Sequence, residues 1–137
     1  MAVRVRSVEY FYAIVEDRPG EAYRFLRDIA SHEINLLAFN AIPLGMEKTE
    51  VVVFPEDVAL LARAAERLGI SLRGPHRAFL IQGDDSLGAL VDLHRKLNDA
   101  NVNVMSSSGV TDGKGGYGYI VYVRNEDFDR AGAALGI

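Results

Sequence analysis

Apolar positions along the chain change period several times, and each change marks an element. Residues 8–16 and 77–82 are rich in β-branched and aromatic side chains and predict strands. Each is followed by a glycine-bearing loop, Asp17-Arg18-Pro19-Gly20 in one case and Asp84-Asp85-Ser86-Leu87-Gly88 in the other. Proline in a first helical turn and Ser or Asp at an N-cap are helix-start signals. Ala22, Phe25, Leu26 and Ile29 then recur at i, i+3, i+4 and i+7, the stripe of an amphipathic helix. A two-stranded hairpin comes next in each half, 35–42 with 48–54 and 103–111 with 116–123. Second helices are predicted over 57–68 and 126–135. In the first half a short strand, 70–73, completes β-α-β-β-α-β, the split βαβ arrangement.

The two halves are copies of one pattern. Sliding the chain over itself by about half its length puts Phe11 on Phe79, Asp17 on Asp85, Gly20 on Gly88, Arg27 on Arg95 and Asn35 on Asn103. Gly45 falls on Gly113 and Val53 on Val121, and the apolar residues Ala22, Phe25 and Ile29 meet Leu90, Leu93 and Leu97. The expected modules are 1–74 and 75–137. The second ends straight after its last helix, without a final strand. Residues 2–6, with the alternation Val3-Arg4-Val5-Arg6, are expected to form an edge strand that fills this vacancy, within the chain or in a partner chain. The fold class is therefore α+β: two ferredoxin-like βαββαβ modules forming a continuous antiparallel sheet with helices on one side.

Composition narrows the function. The 137 residues are 49% hydrophobic and 25% charged, the balance of a globular domain rather than a disordered tail. The absence of cysteine excludes disulfides, thiol nucleophiles, cysteine zinc sites and iron–sulfur clusters. A net charge of −4, with arginines scattered rather than clustered, speaks against a nucleic-acid partner. Charge interrupts the N-terminal segment every few residues, and no apolar run is long enough to span a bilayer, so a cytoplasmic protein without a membrane partner is expected. His32, His76 and His94 lack metal-ligand spacing, and there is no P-loop, dinucleotide or nucleophile-elbow motif. No metal, cofactor or catalytic residue is expected.

The two loops carry the chemistry that remains. Gly20 and Gly88 let a ligand approach the backbone, and the helix that follows offers N–H groups and partial positive charge to a carboxylate. Asp17 and Asp85 can accept from an ammonium group, and Asn35 and Asn103, read as opening the next strand beside the loop, can both donate and accept. Together these describe a pocket for an amino acid. The same residues also suit purely structural roles: Asp17, Asp85 and Ser86 as helix caps, Asn35 and Asn103 as turn residues.

Asp17-Arg18-Pro19-Gly20, Glu33-Ile34-Asn35-Leu36, Asn101-Val102-Asn103-Val104 and Met105-Ser106-Ser107-Ser108 give the chain a resemblance to a tandem pair of ACT domains, the small regulatory modules that bind amino acids. The serine-rich stretch is similar to the second strand of such modules in aspartate kinases. The resemblance implies a non-catalytic regulatory protein with an amino-acid effector at the junction of its modules. It also implies side-by-side pairing of the modules, and a separate regulated enzyme or regulator as partner. The ligand-binding residues it implies are Asp17, Arg18, Pro19, Gly20 and Asn35, with Asp85, Ser86, Leu87, Gly88, Asn103 and Ser107 in the second half. Ser86-Leu87 replaces Arg18-Pro19, which marks the second site as altered or silent.

Two other readings compete. An RNA-recognition module shares the β-α-β-β-α-β order, and Lys114-Gly115-Gly116-Tyr117-Gly118-Tyr119 approaches its third-strand pattern, with Tyr117 and Tyr119 placed to stack bases on one sheet face. A structural oligomerisation module would instead use Leu37, Phe39, Val51, Val53 and Tyr119 as an outer apolar face, and on that face a homodimer burying sheet edges or faces is expected.

Overall fold

A computed structural model describes residues 3–137. Among these residues the fold is α+β, with six strands and four α-helices. The elements are β1 (Arg4–Glu16), α1 (Glu21–Ser31), β2 (Leu36–Gly45), β3 (Lys48–Pro55), α2 (Val58–Leu68), β4 (Arg73–Asp84), α3 (Ala89–Asp99), β5 (Val104–Thr111), β6 (Gly116–Val123) and α4 (Phe128–Leu135). A single 3-10 turn, Asn125–Asp127, leads into α4. Strands and helices thus fall where the apolar periods put them, with two mergers. The edge strand expected over 2–6 and the strand expected over 8–16 are one strand, β1; Ala2 itself lies outside the described residues. The strands expected over 70–73 and 77–82 likewise join as β4, because the chain stays extended from Arg73 through Gly74 and Pro75.

Two compact units result. One comprises Glu9–His76; the other comprises Arg77–Ile137 together with the start of the chain through Val8. In the first unit β3 pairs antiparallel with both β2 and β1, and the opening residues of β4 flank β1. In the second unit β6 pairs antiparallel with both β5 and β4, and the opening residues of β1 flank β4.

Each unit buries one face of its strands beneath its two helices. In the first, Phe11, Ala13, Val51 and Val53 alternate onto that face and meet Phe25, Ile29, Leu61 and Ala64 from the helices. In the second, Phe79, Ile81, Tyr119, Val121 and Val123 meet Leu93, Leu97, Phe128, Ala131 and Leu135. Phe79 stacks on Phe128 with ring centroids 4.4 Å apart. Each Val, Leu, Ile or Phe side chain withdrawn from water contributes about 1.5–3 kcal/mol, which is why the period-2 and period-3.6 patterns govern the fold. Helix ends follow local chemistry as well: the Asp57 carboxylate accepts from the Leu60 N–H at 3.0 Å, starting α2, and Gly69 closes it in the left-handed region.

This burial overturns two expectations. Tyr117 and Tyr119 are 8% and 5% exposed and lie under the helices, so they offer no platform on which RNA bases could stack. Val51, Val53 and Tyr119 are core residues for the same reason and do not form an outer apolar face. Periodicity fixes which residues share a face; it does not say which face the helices cover.

Candidate functional site

The two glycine loops have the same backbone. Asp17 N–H donates to the Glu47 carbonyl at 2.8 Å, and Asp85 N–H donates to the Gly115 carbonyl at 2.8 Å. Each bond ties its loop to the tip of the neighbouring hairpin. Gly20 and Gly88 are the N-cap residues of α1 and α3, both left-handed, with φ of 90° and 73°. Neither helix has a side-chain cap, so Asp17, Asp85 and Ser86 are not caps.

Side chains make the two loop ends different. At the first, Arg18 Nε donates to Glu21 Oε1 at 2.8 Å and Arg24 Nη2 donates to the same oxygen at 2.7 Å. Hydrogen bonds from these two guanidinium groups hold the Glu21 carboxyl below its ordinary pKa. The Arg24 guanidinium also folds back over Gly20, where a Cβ would lie 3.0 Å from Nη1. Asp17, Arg18 and Pro19 are exposed around this cluster, and Gly20 is half-buried.

At the second loop the same positions hold Ser86, Ala89 and Asp92, and Asp92 turns to Arg95 and Lys96 further along α3. No cluster forms over Gly88. A cleft of about 450 Å³ opens there, walled by Asp85, Ser86 and Gly88, the first turn of α3, Gly109–Thr111 of β5, and Tyr117 and Gly118 of β6. Leu90, Val91 and Val110 turn apolar surface toward solvent around it. Tyr117 stands in its wall with a hydroxyl that is buried and has no hydrogen-bond partner. Burial raises the pKa of that hydroxyl. The neighbouring Tyr119 hydroxyl, by contrast, is bonded to His94 Nε2 at 2.7 Å.

A second, more polar cleft of about 510 Å³ lies on the other side of Tyr117, among Arg4, Gln82, Asp84, Asp112 and Lys114. The Asp112 carboxylate accepts from the N–H groups of Lys114 and Gly116, which lowers its pKa and fixes the glycine-rich hairpin tip.

Of the residues singled out in the sequence, Asp85, Ser86 and Gly88 are brought together in the 450 Å³ cleft. Leu87 points away and is fully exposed. Asn35 and Asn103 do not lie beside their loops. Leu36 pairs with Pro55 while Glu16 pairs with Lys48, so Asn35 sits at the opposite end of β3, roughly 25 Å from the loop at strand spacing. There Asn35 Nδ2 donates to Glu56 Oε1 at 3.0 Å. Asn103 is placed likewise, before Val104, which pairs with Val123, whereas the loop adjoins Gly116. The correction has a simple cause: the helix returns the chain to the far end of the sheet, so the end of the next strand, not its start, comes back to the loop. Ser107 is exposed in the middle of β5, paired with Val121. Gly109 and Val110 were missed for that reason, although the element order already implied that the hairpin tip faces the loop.

Among the described residues no cluster of His, Asp and Glu is arranged to hold a metal ion, and no helix is long and apolar enough to cross a membrane.

No family model matches the chain, and no curated protein matches it in sequence. Solved structures do match. Protein BT0572 from Bacteroides thetaiotaomicron superposes with a TM-score of 0.82 at 14% identity, over 96% of this chain and 88% of that one. The ligand-free regulatory subunit of aspartate kinase from Thermus thermophilus gives 0.66 at 14% identity, over 97% and 93%. The regulatory subunit of aspartate kinase from Thermus flavus gives 0.60 at 12% identity, over 98% and 95%. The chain has the two-module, ACT-like α+β fold of these regulatory subunits.

Proposed function

We propose that the chain is a non-catalytic regulatory protein that binds an amino acid or a similar small effector, and that the 450 Å³ cleft of its second unit is the site. The cleft is the observation that carries this reading. It joins a free carboxylate on Asp85, a hydroxyl on Ser86 and the N-terminus of α3 in one concave surface of ordinary ligand-site volume. A carboxylate is stabilised at a helix N-terminus and an ammonium group by Asp85, so the two ends of an amino acid have separate receptors. All the walls belong to one unit, so the ligand needs no residue from the first module, unlike the junction site that the family resemblance implies. The likeness to regulatory subunits supports an output through a separate enzyme or regulator, with ligand shifting the population of one conformer. We also propose that the chain acts as a homodimer.

A thermal-shift panel of the twenty amino acids tests this reading, because a ligand that binds only the folded state raises its melting temperature. At least one amino acid is expected to do so in the full chain. A flat panel at millimolar concentrations refutes the amino-acid site. Light scattering is expected to give twice the monomer mass, and a monomer refutes the dimer.

A further inference from the structure

The second unit ends on a bare strand. β5 is an outer strand and pairs with β6 alone. Such a strand turns the N–H and C=O groups of every second residue away from its sheet, where they can template another strand. Ser107, Gly109 and Thr111 share a sheet face with Val121, Tyr119 and Tyr117 of β6, which are 0%, 5% and 8% exposed. The three β5 residues are nonetheless exposed, as are Ser106, Ser108 and Val110 on the opposite face. The helices thus shield β6 and leave β5 bare on both sides.

β2, the outer strand of the first unit, is guarded where it is exposed. Pro43 brings no N–H to the edge, and the register slips between Pro43 and Gly45. In β5 the register slips only at the start, between Val104 and Ser106, so Ser106–Thr111 runs without interruption. No charged residue and no proline occurs from Asn101 to Thr111.

The missing charge selects the occupant. β5 has none with which to recruit or orient a foreign strand of complementary charge. A second copy of β5 brings the same uncharged run, so self-pairing opposes no like charges and makes each contact twice about a twofold axis. Met105 and Val110, 59% and 74% exposed, add apolar surface along the same strand.

We infer that the β5 strands of two copies pair antiparallel about a twofold axis through Ser108, joining two second units edge to edge. This rests on the homodimer reading above and names its surface. The axis passes through a residue, because directly opposed side chains share a sheet face and only positions of the same parity do so. Ser108 and Gly109 are the central residues of the uninterrupted run. Two opposed glycines have nothing to pack, whereas two serine hydroxyls can bond across the strands. Ser106 then faces Val110, and Ser107 faces Gly109.

The chain has no cysteine, so a single introduced thiol can link only to another copy. Opposed residues of an antiparallel pair have Cβ atoms about 4.5–5.5 Å apart, near the roughly 3.5–4.5 Å of a disulfide. Ser108→Cys under mild oxidation is expected to run as a covalent dimer in a denaturing gel, and Ala41→Cys, at the exposed end of β2, as a monomer. Equal linking of the two variants, or none in Ser108→Cys, overturns the β5 surface. Light scattering of wild type separates the two levels: a dimer whose Ser108→Cys variant does not link keeps the homodimer on another surface, whereas a monomer overturns both. Ser108→Lys opposes two lysines and is expected to weaken the dimer about fivefold or more, while Ser108→Thr retains it. An undiminished dimer in Ser108→Lys overturns the pairing.

Discussion

The starts of α1 and α3 are the same structure with opposite contents. Both follow a strand, both begin at a left-handed glycine, and both are anchored by an aspartate N–H to a hairpin carbonyl at 2.8 Å. In the first, Arg18, Glu21 and Arg24 satisfy one another across the helix end. In the second, Ser86, Ala89 and Asp92 occupy those places and leave it open. The exchange of Arg18, Glu21 and Arg24 for Ser86, Ala89 and Asp92 therefore removes the cluster from the second helix end, where Leu87 also stands for Pro19 and Tyr117 for Thr49 in the surroundings. The loop with the better family motif is the filled one, and the loop that departs from the motif has the cleft.

The largest expected effects test whether the modules are equivalent where they should be. Phe25 and Leu93 occupy matching core positions, 6% and 4% exposed. Phe25→Ala is expected to cost about 3–5 kcal/mol and Leu93→Ala about 2–5 kcal/mol in urea denaturation. A loss under about 1 kcal/mol for either would break the equivalence of the two cores.

Next comes a transfer of the first loop's contents to the second. Ser86→Arg, Ala89→Glu and Asp92→Arg together are expected to rebuild the guanidinium–carboxylate cluster over Gly88 and close the cleft. The stabilisation by a saturating ligand, about 2.7 kcal/mol at a hundred times its Kd, should then vanish. Retained ligand stabilisation in the triple variant would show that side-chain filling is not what distinguishes the loops.

A smaller effect is expected from Tyr119→Phe. It breaks the bond to His94 that Val51, at the matching position of the first module, does not make. A loss of about 0.5–1.5 kcal/mol is expected, read as a lower denaturant midpoint. The smallest effect is acid dependence at the first loop. The folded Glu21 carboxyl lies below its unfolded value, so its stabilisation is complete above about pH 4.3 and fades as pH falls through the lower folded value. Glu21→Gln should therefore be less stable than wild type at neutral pH and converge with it in acid, and high salt should narrow the gap. A gap that persists at acid pH would assign Glu21 a role other than charge.

Much of the fold was legible in the sequence. Phe25 and Ile29 are buried because the 3.6 period puts them on one side of α1, and Val51 and Val53 because the period of two does the same in β3. The helix predicted over 57–68 is α2, with Asp57 at its N-cap. The candidate site was legible only in part. Asp85, Ser86 and Gly88 were found because helix-start chemistry is local. Asn35 and Asn103 were misplaced because their neighbours are set by strand direction, and Tyr117 was read as an exposed platform because its period is the same whichever face the helices cover.

The sequence by itself determined the element order, the repeat and the apolar faces, since each depends on residues within a few positions of one another. Only tertiary structure decided that the edge strand at the start of the chain continues into β1, that the hairpin tip rather than the strand start meets each loop, and that Arg18, Glu21 and Arg24 fill one helix end while Ser86, Ala89 and Asp92 leave the other open. These outcomes depend on which groups a folded chain brings within about 3 Å of each other, and hydrogen bonds and packing act only at that range.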